Sequence, residues 1–121
     1  MHRYHSPLRY PGGKGKLASY IRAVIEENRL ADGHYAEPYA GGASVALDLM
    51  FNEYVRHIHI NDLDRSVYAF WHSVLHETEE LCRLVAECEL SPTEWRIQRA
   101  IQQTKATAPL LQLGFSTFYL N

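Results

Sequence analysis

The sequence predicts an α/β fold in which a strand–helix–strand unit is followed by four helices. Three observations predict it: a short strand pattern that runs into a glycine turn and an apolar helix, a second strand soon afterwards, and helical spacing through the rest of the chain. With 121 residues, 46% hydrophobic and 21% charged, the chain has the size and composition of one ordinary globular domain. That composition excludes a disordered tail, a collagen-like repeat and a disulfide scaffold.

The first half of the chain predicts one helix and then the strand–helix–strand unit. A turn-rich opening leads into a helical pattern that ends at Asp32-Gly33. Strands are predicted at 34–39 and 55–60, and the segment 43–51 between them is apolar nearly all round, as in a helix packed on a sheet. One face of the first helix carries Leu17, Ile21, Val24 and Ile25.

The second half predicts four helices. Thr78 is predicted to cap the second of them, and Ser91-Pro92-Thr93-Glu94 is a capping box that begins the third. Pro109 opens the last, which stays apolar to the end of the sequence without a stop signal, so we expect a fragment or a half that needs a partner. The first of these four helices has an apolar face at helical spacing, formed by Val67, Phe70, Trp71, Val74 and Leu75.

Localisation follows from what the sequence lacks. No stretch approaches the ~18 consecutive apolar residues of a membrane span, and the start has no apolar secretory core. Cys82 and Cys88 stand six apart in a helical stretch, which turns them to different faces and favours two reduced thiols. We therefore expect a soluble, cytoplasmic protein with no membrane partner.

The net charge of −2 conceals an uneven distribution. Residues 1–25 carry five basic residues and no acid, whereas residues 26–94 carry all 14 acids against four arginines. A basic N-terminal edge is compatible with binding a polyanion, and also with an ordinary solvated surface. Charge alone leaves both interpretations open.

The strongest candidate site joins the glycine turn 37–44 to Asp62. A strand enters the turn and a helix leaves it, while Asp62 follows the second strand, 21 residues after Gly41. This is the pattern of a nucleotide-binding unit, in which glycines let the backbone approach a ligand at a helix N-terminus and the acid accepts bonds from ribose hydroxyls. No basic residue follows for phosphates, so the pattern favours a nucleoside-type ligand. A tight turn with a helix-capping Asp62 remains the alternative.

A second motif lies at residues 7–17. It has an aromatic residue, two glycines and Lys14 at the head of a helix, but the glycine spacing is too short for a phosphate-binding loop and no Ser or Thr follows the lysine. The array could place a cation and a ring against an adenine or a carboxylate. A basic N-terminal turn is the simpler interpretation of this motif taken alone.

Together the motifs resemble the DNA adenine methylase (Dam-like, D12 class) family of site-specific DNA adenine-N6 methyltransferases. The resemblance rests on Arg9-Tyr10-Pro11-Gly12-Gly13-Lys14, Glu37-Pro38-Tyr39-Ala40-Gly41-Gly42, and Asn61-Asp62-Leu63-Asp64. It is supported by Gly114-Phe115-Ser116-Thr117-Phe118-Tyr119-Leu120-Asn121, which is similar to a stretch of the family's helical recognition region, and it spans residues 6–121. It implies an incomplete Rossmann-like methyltransferase fold, S-adenosylmethionine as cofactor and double-stranded DNA as partner.

The resemblance also implies the site residues. Tyr10 corresponds to an aromatic beside the methyl donor, where several members have tryptophan, and Lys14 to a lysine that reaches the donor. Asp62 corresponds to the acid that holds the ribose hydroxyls, and Arg9 to a basic position that contacts DNA near a recognised guanine. The loop that cradles the donor's methionine part contains Pro38, Tyr39 and Gly41.

One departure from the family is large. The family transfers the methyl group through an Asp-Pro-Pro-Tyr-type motif that holds the flipped adenine, and no two prolines are adjacent in this chain. We therefore expect no catalytic residue here, and no activity without a complementary C-terminal fragment or subunit. The predicted domains are 1–76, the first part of the donor-binding domain, and 77–121, the start of a helical DNA-recognition insert.

Two alternatives complete the predictions. A non-catalytic nucleoside- or DNA-binding module, or a subunit of a split methylase, would also lack the catalytic motif. A metal site is not expected, because His57 with His59 and His72 with His76 form pairs that no cysteine or acid joins at ligand spacing. The recognised DNA sequence, and a role in restriction–modification, repair or a mobile element, stay open.

Overall fold

A computed structural model describes residues 5–9 and 14–121, which fall into two compact units. The first unit ends at Asp62 and the second covers Leu63–Asn121. A short 3-10 helix at Lys14–Leu17 precedes the regular elements of the first unit. These are α1 (Ala18–Glu27), β1 (Gly33–Glu37), α2 (Ser44–Phe51) and β2 (Val55–Ile60), and those of the second are α3 (Arg65–His76), α4 (Thr78–Glu87), α5 (Pro92–Gln103) and α6 (Leu110–Leu120).

The first unit contains the predicted strand–helix–strand order. β1 and β2 pair in parallel, with Tyr35 opposite Ile58, and both side chains pack against the apolar core. That core joins the sheet to α1 and α2, which explains why α2 is apolar on most of its surface. The two-stranded parallel sheet is compatible with an incomplete methyltransferase fold. The buried core residues are Ile25, Val45, Leu49 and Val55.

The predicted element boundaries differ slightly from those of the structure. β1 ends at Glu37, not at Tyr39, because Pro38 has no amide hydrogen for the ladder and the chain turns there. α2 begins at Ser44, one residue later than predicted, because Ala43 takes a left-handed conformation with φ of 53°. Both shifts lengthen the turn between strand and helix.

An ion pair joins α1 to α2. The Arg22 guanidinium donates to both carboxylate oxygens of Asp48, with Nε 2.8 Å from Oδ1. Arg22 also lies over the ring of Tyr54, 5.6 Å from its centroid. The hydrogen bond to Asp48 raises the pKa of Arg22, which favours the charged guanidinium in this pair.

The second unit contains the four predicted helices. The Ser91 side chain accepts from the amide of Glu94, 3.1 Å away, which confirms the predicted cap of α5. The predicted cap at Thr78 is wrong. The N-cap position of α4 belongs to Glu77, Thr78 is already the first residue of the helix, and the Thr78 hydroxyl donates back to the carbonyl of Val74 at the end of α3.

Close packing of α3 and α6 explains the glycine of the last helix. A β-carbon placed on Gly114 would lie 2.6 Å from the carbonyl oxygen of Ala69 and 2.8 Å from the hydroxyl of Ser73. Glycine therefore permits the two helix backbones to approach at this point. The Ser73 hydroxyl donates a hydrogen bond to the carbonyl oxygen of Ala69, 2.7 Å away.

Hydroxyl and amide groups tie α6 to its neighbours. The buried Ser116 hydroxyl donates to the carbonyl of Gln98 on α5, 2.7 Å away, and the Thr117 hydroxyl lies 3.0 Å from the carbonyl of Ser66 on α3. The Gln102 amide nitrogen donates to Thr117 at 3.0 Å. The glycine, serine and threonine of the final motif thus have a packing role.

The boundary between the compact units follows Asp62, and α3 packs with α6 in the second unit. The predicted functional boundary after residue 76 remains a prediction, because it concerns which segment binds which ligand. In the part of the chain that the structure describes, every helix is too short or too polar to cross a membrane.

Candidate functional site

The candidate site lies where β1 and β2 end. Since the strands are parallel, their carboxyl ends meet at one edge, the usual place for a ligand in an open α/β sheet. The pairing continues past the strands: the amide of Asn61 donates to Glu37, 3.0 Å away, and the amide of Ala40 donates to Asn61, 2.8 Å away. These bonds hold the turn after β1 against the end of β2.

Asp62 is tied to the glycine turn. Its Oδ2 accepts from the amide of Gly41, 2.9 Å away, and Asp62 is half-buried. Gly41 is buried and has a φ of 52°, a left-handed conformation that glycine adopts without strain. The residue that caps the following helix is Asp64 and not Asp62. Asp64 caps α3 by accepting from the amide of Ser66 at 2.9 Å.

The start of α2 carries backbone strain. Ala43 is fully buried and left-handed, a conformation that costs a non-glycine residue about 1 kcal/mol or more. Among residues 5–9 and 14–121, no side chain caps the first turn of α2. A helix N-terminus bears partial positive charge, so this turn favours the negative end of a ligand.

The structure brings Lys14 to the same turn. Its ammonium donates to the carbonyl of Tyr39, 2.5 Å away, although 25 residues separate them in sequence. Tyr39 is 69% exposed and Pro38 is exposed, so the outer part of the turn faces solvent. The side-chain Nδ2 of Asn61 donates to the carbonyl of Pro38 at 3.3 Å. The structure thus brings five predicted site residues together at one turn: Lys14, Pro38, Tyr39, Gly41 and Asp62.

The remaining predicted residues are placed differently. Tyr10 lies outside the described residues. Arg9 is exposed, next to a buried Leu8 whose amide is bonded to the Ser6 hydroxyl at 3.2 Å. The structure therefore leaves the stacking role of Tyr10 and the DNA contact of Arg9 as predictions.

Glu37 is a polar residue of the site whose own role was not predicted from the sequence. It is only 4% exposed, and its Oε1 accepts from the hydroxyl of Tyr35, 2.9 Å away. Its Oε2 is buried and has no hydrogen-bond partner among the described residues. A buried acceptor without a donor costs about 1–3 kcal/mol, and more for a charged group, so a ligand group that donates there would be stabilised. The motif alone does not predict that the Glu37 side chain is buried.

Histidines gather on the solvent side of the sheet, away from the apolar core. His34 Nδ1 lies 2.8 Å from His59 Nε2, and the His34 and His57 rings are 4.6 Å apart between centroids. The sequence predicted the pair of His57 with His59, and the structure adds His34 from the neighbouring strand. Within residues 5–9 and 14–121, no three histidine, cysteine or acidic residues are arranged to hold a metal ion.

The chain matches one known family over most of its length. Residues 10–115 match the family model described as D12 class N6 adenine-specific DNA methyltransferase. The matched range includes the glycine turn, Asp62 and the start of the Gly114 motif. Comparisons with curated proteins and with solved structures returned no match.

Proposed function

Because the chain belongs to the D12 class N6 adenine-specific DNA methyltransferase family, we propose that its first unit binds S-adenosylmethionine for methylation of adenine N6 in double-stranded DNA. One observation carries the proposal: the carboxylate of Asp62 and the backbone of Gly41 are held 2.9 Å apart at the carboxyl ends of two parallel strands. When bound, S-adenosylmethionine supplies an electrophilic methyl group on sulfur.

The groups around the turn fit the parts of that cofactor. Asp62 supplies an acceptor for ribose hydroxyls, the interaction that an acid after the second strand makes in nucleotide-binding units. Lys14 supplies a cation beside the turn, suited to the carboxylate of the methionine part. Glu37 supplies a buried carboxylate oxygen that accepts no hydrogen bond from the described part of the chain, suited to the ammonium. In this proposal Pro38 and Tyr39 line the methionine part, and Tyr10 stacks beside the donor.

Methyl transfer in this proposal needs a segment that these 121 residues do not contain. No Asp-Pro-Pro-Tyr-type motif occurs among them, and this is the motif by which the family holds a flipped adenine. The complementary segment would be part of the same polypeptide or a second chain. Residues 77–121 would begin the helical recognition insert, and Arg9 would contact DNA. Cys82 and Cys88 are both free thiols, which fits a cytoplasmic enzyme.

The first experiment measures donor binding. Isothermal titration of the chain with S-adenosylmethionine should give saturable one-site binding, and Asp62→Ala should abolish it. Glu27→Ala is the matched control, because it removes an exposed acid from the end of α1 and should bind like the unaltered chain. Binding that survives Asp62→Ala would contradict the proposed site.

The second candidate function is a non-catalytic nucleoside- or DNA-binding module, or the subunit of a split methylase, and the missing motif favours it. A transfer assay with radiolabelled methyl donor and adenine-containing DNA separates the two. Methylation that appears when a segment carrying the Asp-Pro-Pro-Tyr-type motif is added supports the enzyme. Donor binding without transfer under that condition supports the module, and transfer to cytosine or protein would overturn the enzyme proposal.

A further inference from the structure

We propose that Tyr35 is a positioning residue of the donor site, whose hydroxyl occupies one oxygen of Glu37 and leaves the other to accept from the ammonium of S-adenosylmethionine. This inference rests on the proposed function, since it assumes that the turn after β1 binds that cofactor. It adds a residue outside the glycine motif, two positions before it in the sequence.

The strand geometry places the two side chains together. Successive residues of a strand point to opposite faces, so Tyr35 and Glu37 share the face of β1 that packs against α1 and α2. The Tyr35 ring packs against the core formed by Ile25, Val45, Leu49 and Val55. Because the ring is held by this packing, its hydroxyl has little freedom and meets Glu37 Oε1 at 2.9 Å.

The bond can run in only one direction. The Tyr35 hydroxyl donates to Glu37, because a carboxylate oxygen carries no hydrogen to donate. Burial, and then the hydrogen bond and the charge of Glu37, also raise the pKa of Tyr35. The Glu37 carboxylate therefore accepts at Oε1 and its orientation is set. Without the Tyr35 bond the carboxylate could turn and exchange its two oxygens.

The other oxygen needs a charged donor. Glu37 is 4% exposed and Oε2 has no partner among the described residues, which therefore satisfy one oxygen of this carboxylate. Buried charges are normally paired, and a primary ammonium offers both the opposite charge and a hydrogen to donate. The methionine part of the proposed cofactor carries one such ammonium. Methylthioadenosine keeps the adenosine and the sulfur but lacks that group.

The experiment compares these two ligands by isothermal titration against four chains: unaltered, Tyr35→Phe, Glu37→Gln and the double variant. Tyr35→Phe should weaken S-adenosylmethionine about tenfold, as for the loss of a hydrogen bond to a charged group, and leave methylthioadenosine within about twofold. The double variant should bind like Glu37→Gln alone, because Tyr35 acts through Glu37. Tyr20→Phe, at an exposed position of α1, is the matched control and should change neither ligand.

Each other outcome has a definite meaning. Equal weakening of both ligands by Tyr35→Phe, with circular dichroism unchanged, would show a structural role and overturn the inference. No effect on either ligand, or additive effects in the double variant, would also overturn it. If the unaltered chain binds neither ligand, the donor site itself fails, and that result is distinct because it appears before any substitution.

Discussion

The amide nitrogen of Gly41 lies 2.9 Å from a carboxylate oxygen of Asp62, although the two residues are 21 positions apart. This bond connects the turn after β1 to the end of β2, beyond the last ladder pair of Glu37 with Ile60. The bond holds the acid at the turn before any ligand arrives. Such preorganisation reduces the ordering that binding would otherwise require.

Replacing Asp62 with asparagine separates the acid's charge from its structural bond. The asparagine oxygen can still accept from Gly41, whereas its amide nitrogen cannot accept from a ribose hydroxyl. We expect affinity for S-adenosylmethionine to fall at least about tenfold while the thermal unfolding temperature changes little. Asp32→Asn, in an exposed turn, is the control for titration and unfolding. Unchanged affinity in Asp62→Asn would contradict a ribose-binding role.

Replacing Lys14 with methionine tests the cation beside the turn. The ammonium lies 2.5 Å from the carbonyl of Tyr39, and both side chains are exposed, so solvent screens its charge. We expect affinity for S-adenosylmethionine to fall about fivefold, which corresponds to about 1 kcal/mol, and to lose part of its salt dependence. Lys16→Met, in the same 3-10 helix, should leave both unchanged. Equal effects of the two variants would assign the result to general surface charge.

Replacing Gly114 with alanine tests the packing of α3 on α6. The added methyl group would lie 2.6 Å from the carbonyl oxygen of Ala69, so a helix backbone must move. We expect the free energy of unfolding to fall by about 1–3 kcal/mol in urea titration, although alanine favours helix by about 1 kcal/mol. Gly15→Ala is the matched substitution, since its methyl group would have ordinary contact with Ser44 at 3.6 Å. Stabilisation by Gly114→Ala would refute close packing here.

Replacing Asp64 with asparagine tests a pH-dependent contribution to stability. Partial burial acts to raise the pKa of Asp64, but bonds from the Ser66 amide and Lys105 outweigh it and lower the pKa below its ordinary value of 3.8. The charge of Asp64 therefore stabilises the folded chain at pH values above 3.8. This contribution is lost as the pH falls through the lower pKa of the folded state. Asparagine caps a helix as well as aspartate does, so only the charge is removed.

The expected difference in unfolding free energy between the two chains is below about 1 kcal/mol at pH 7, because the Asp64 side chain is 43% exposed and Lys105 lies 3.1 Å away at the surface. Urea titration at neutral pH and at pH values below 3.8 should show the difference shrink as the pH falls. A difference of the same size at both pH values would show that the asparagine cap, not the charge, is the cause.

Much of the fold could be predicted because it depends on local chemistry. The alternation of strand, glycine turn and apolar helix, the proline and serine signals of α5, and the position of Asp62 after the second strand are all written in neighbouring residues. The cap at Thr78 was wrong because a hydroxyl can also donate to the preceding turn, and only the path of the chain from α3 to α4 determines which bond forms.

The sequence by itself determined the order of elements, the family and the residues of the glycine turn, because these depend on spacing and side-chain type. Only the tertiary structure decided that Lys14 reaches Tyr39, that Glu37 is buried with Tyr35, and that Gly114 meets Ala69. These relationships join residues through a shared core, where sheet pairing and helix packing set the distances. Burial and close approach are properties of the folded chain, so no local pattern encodes them.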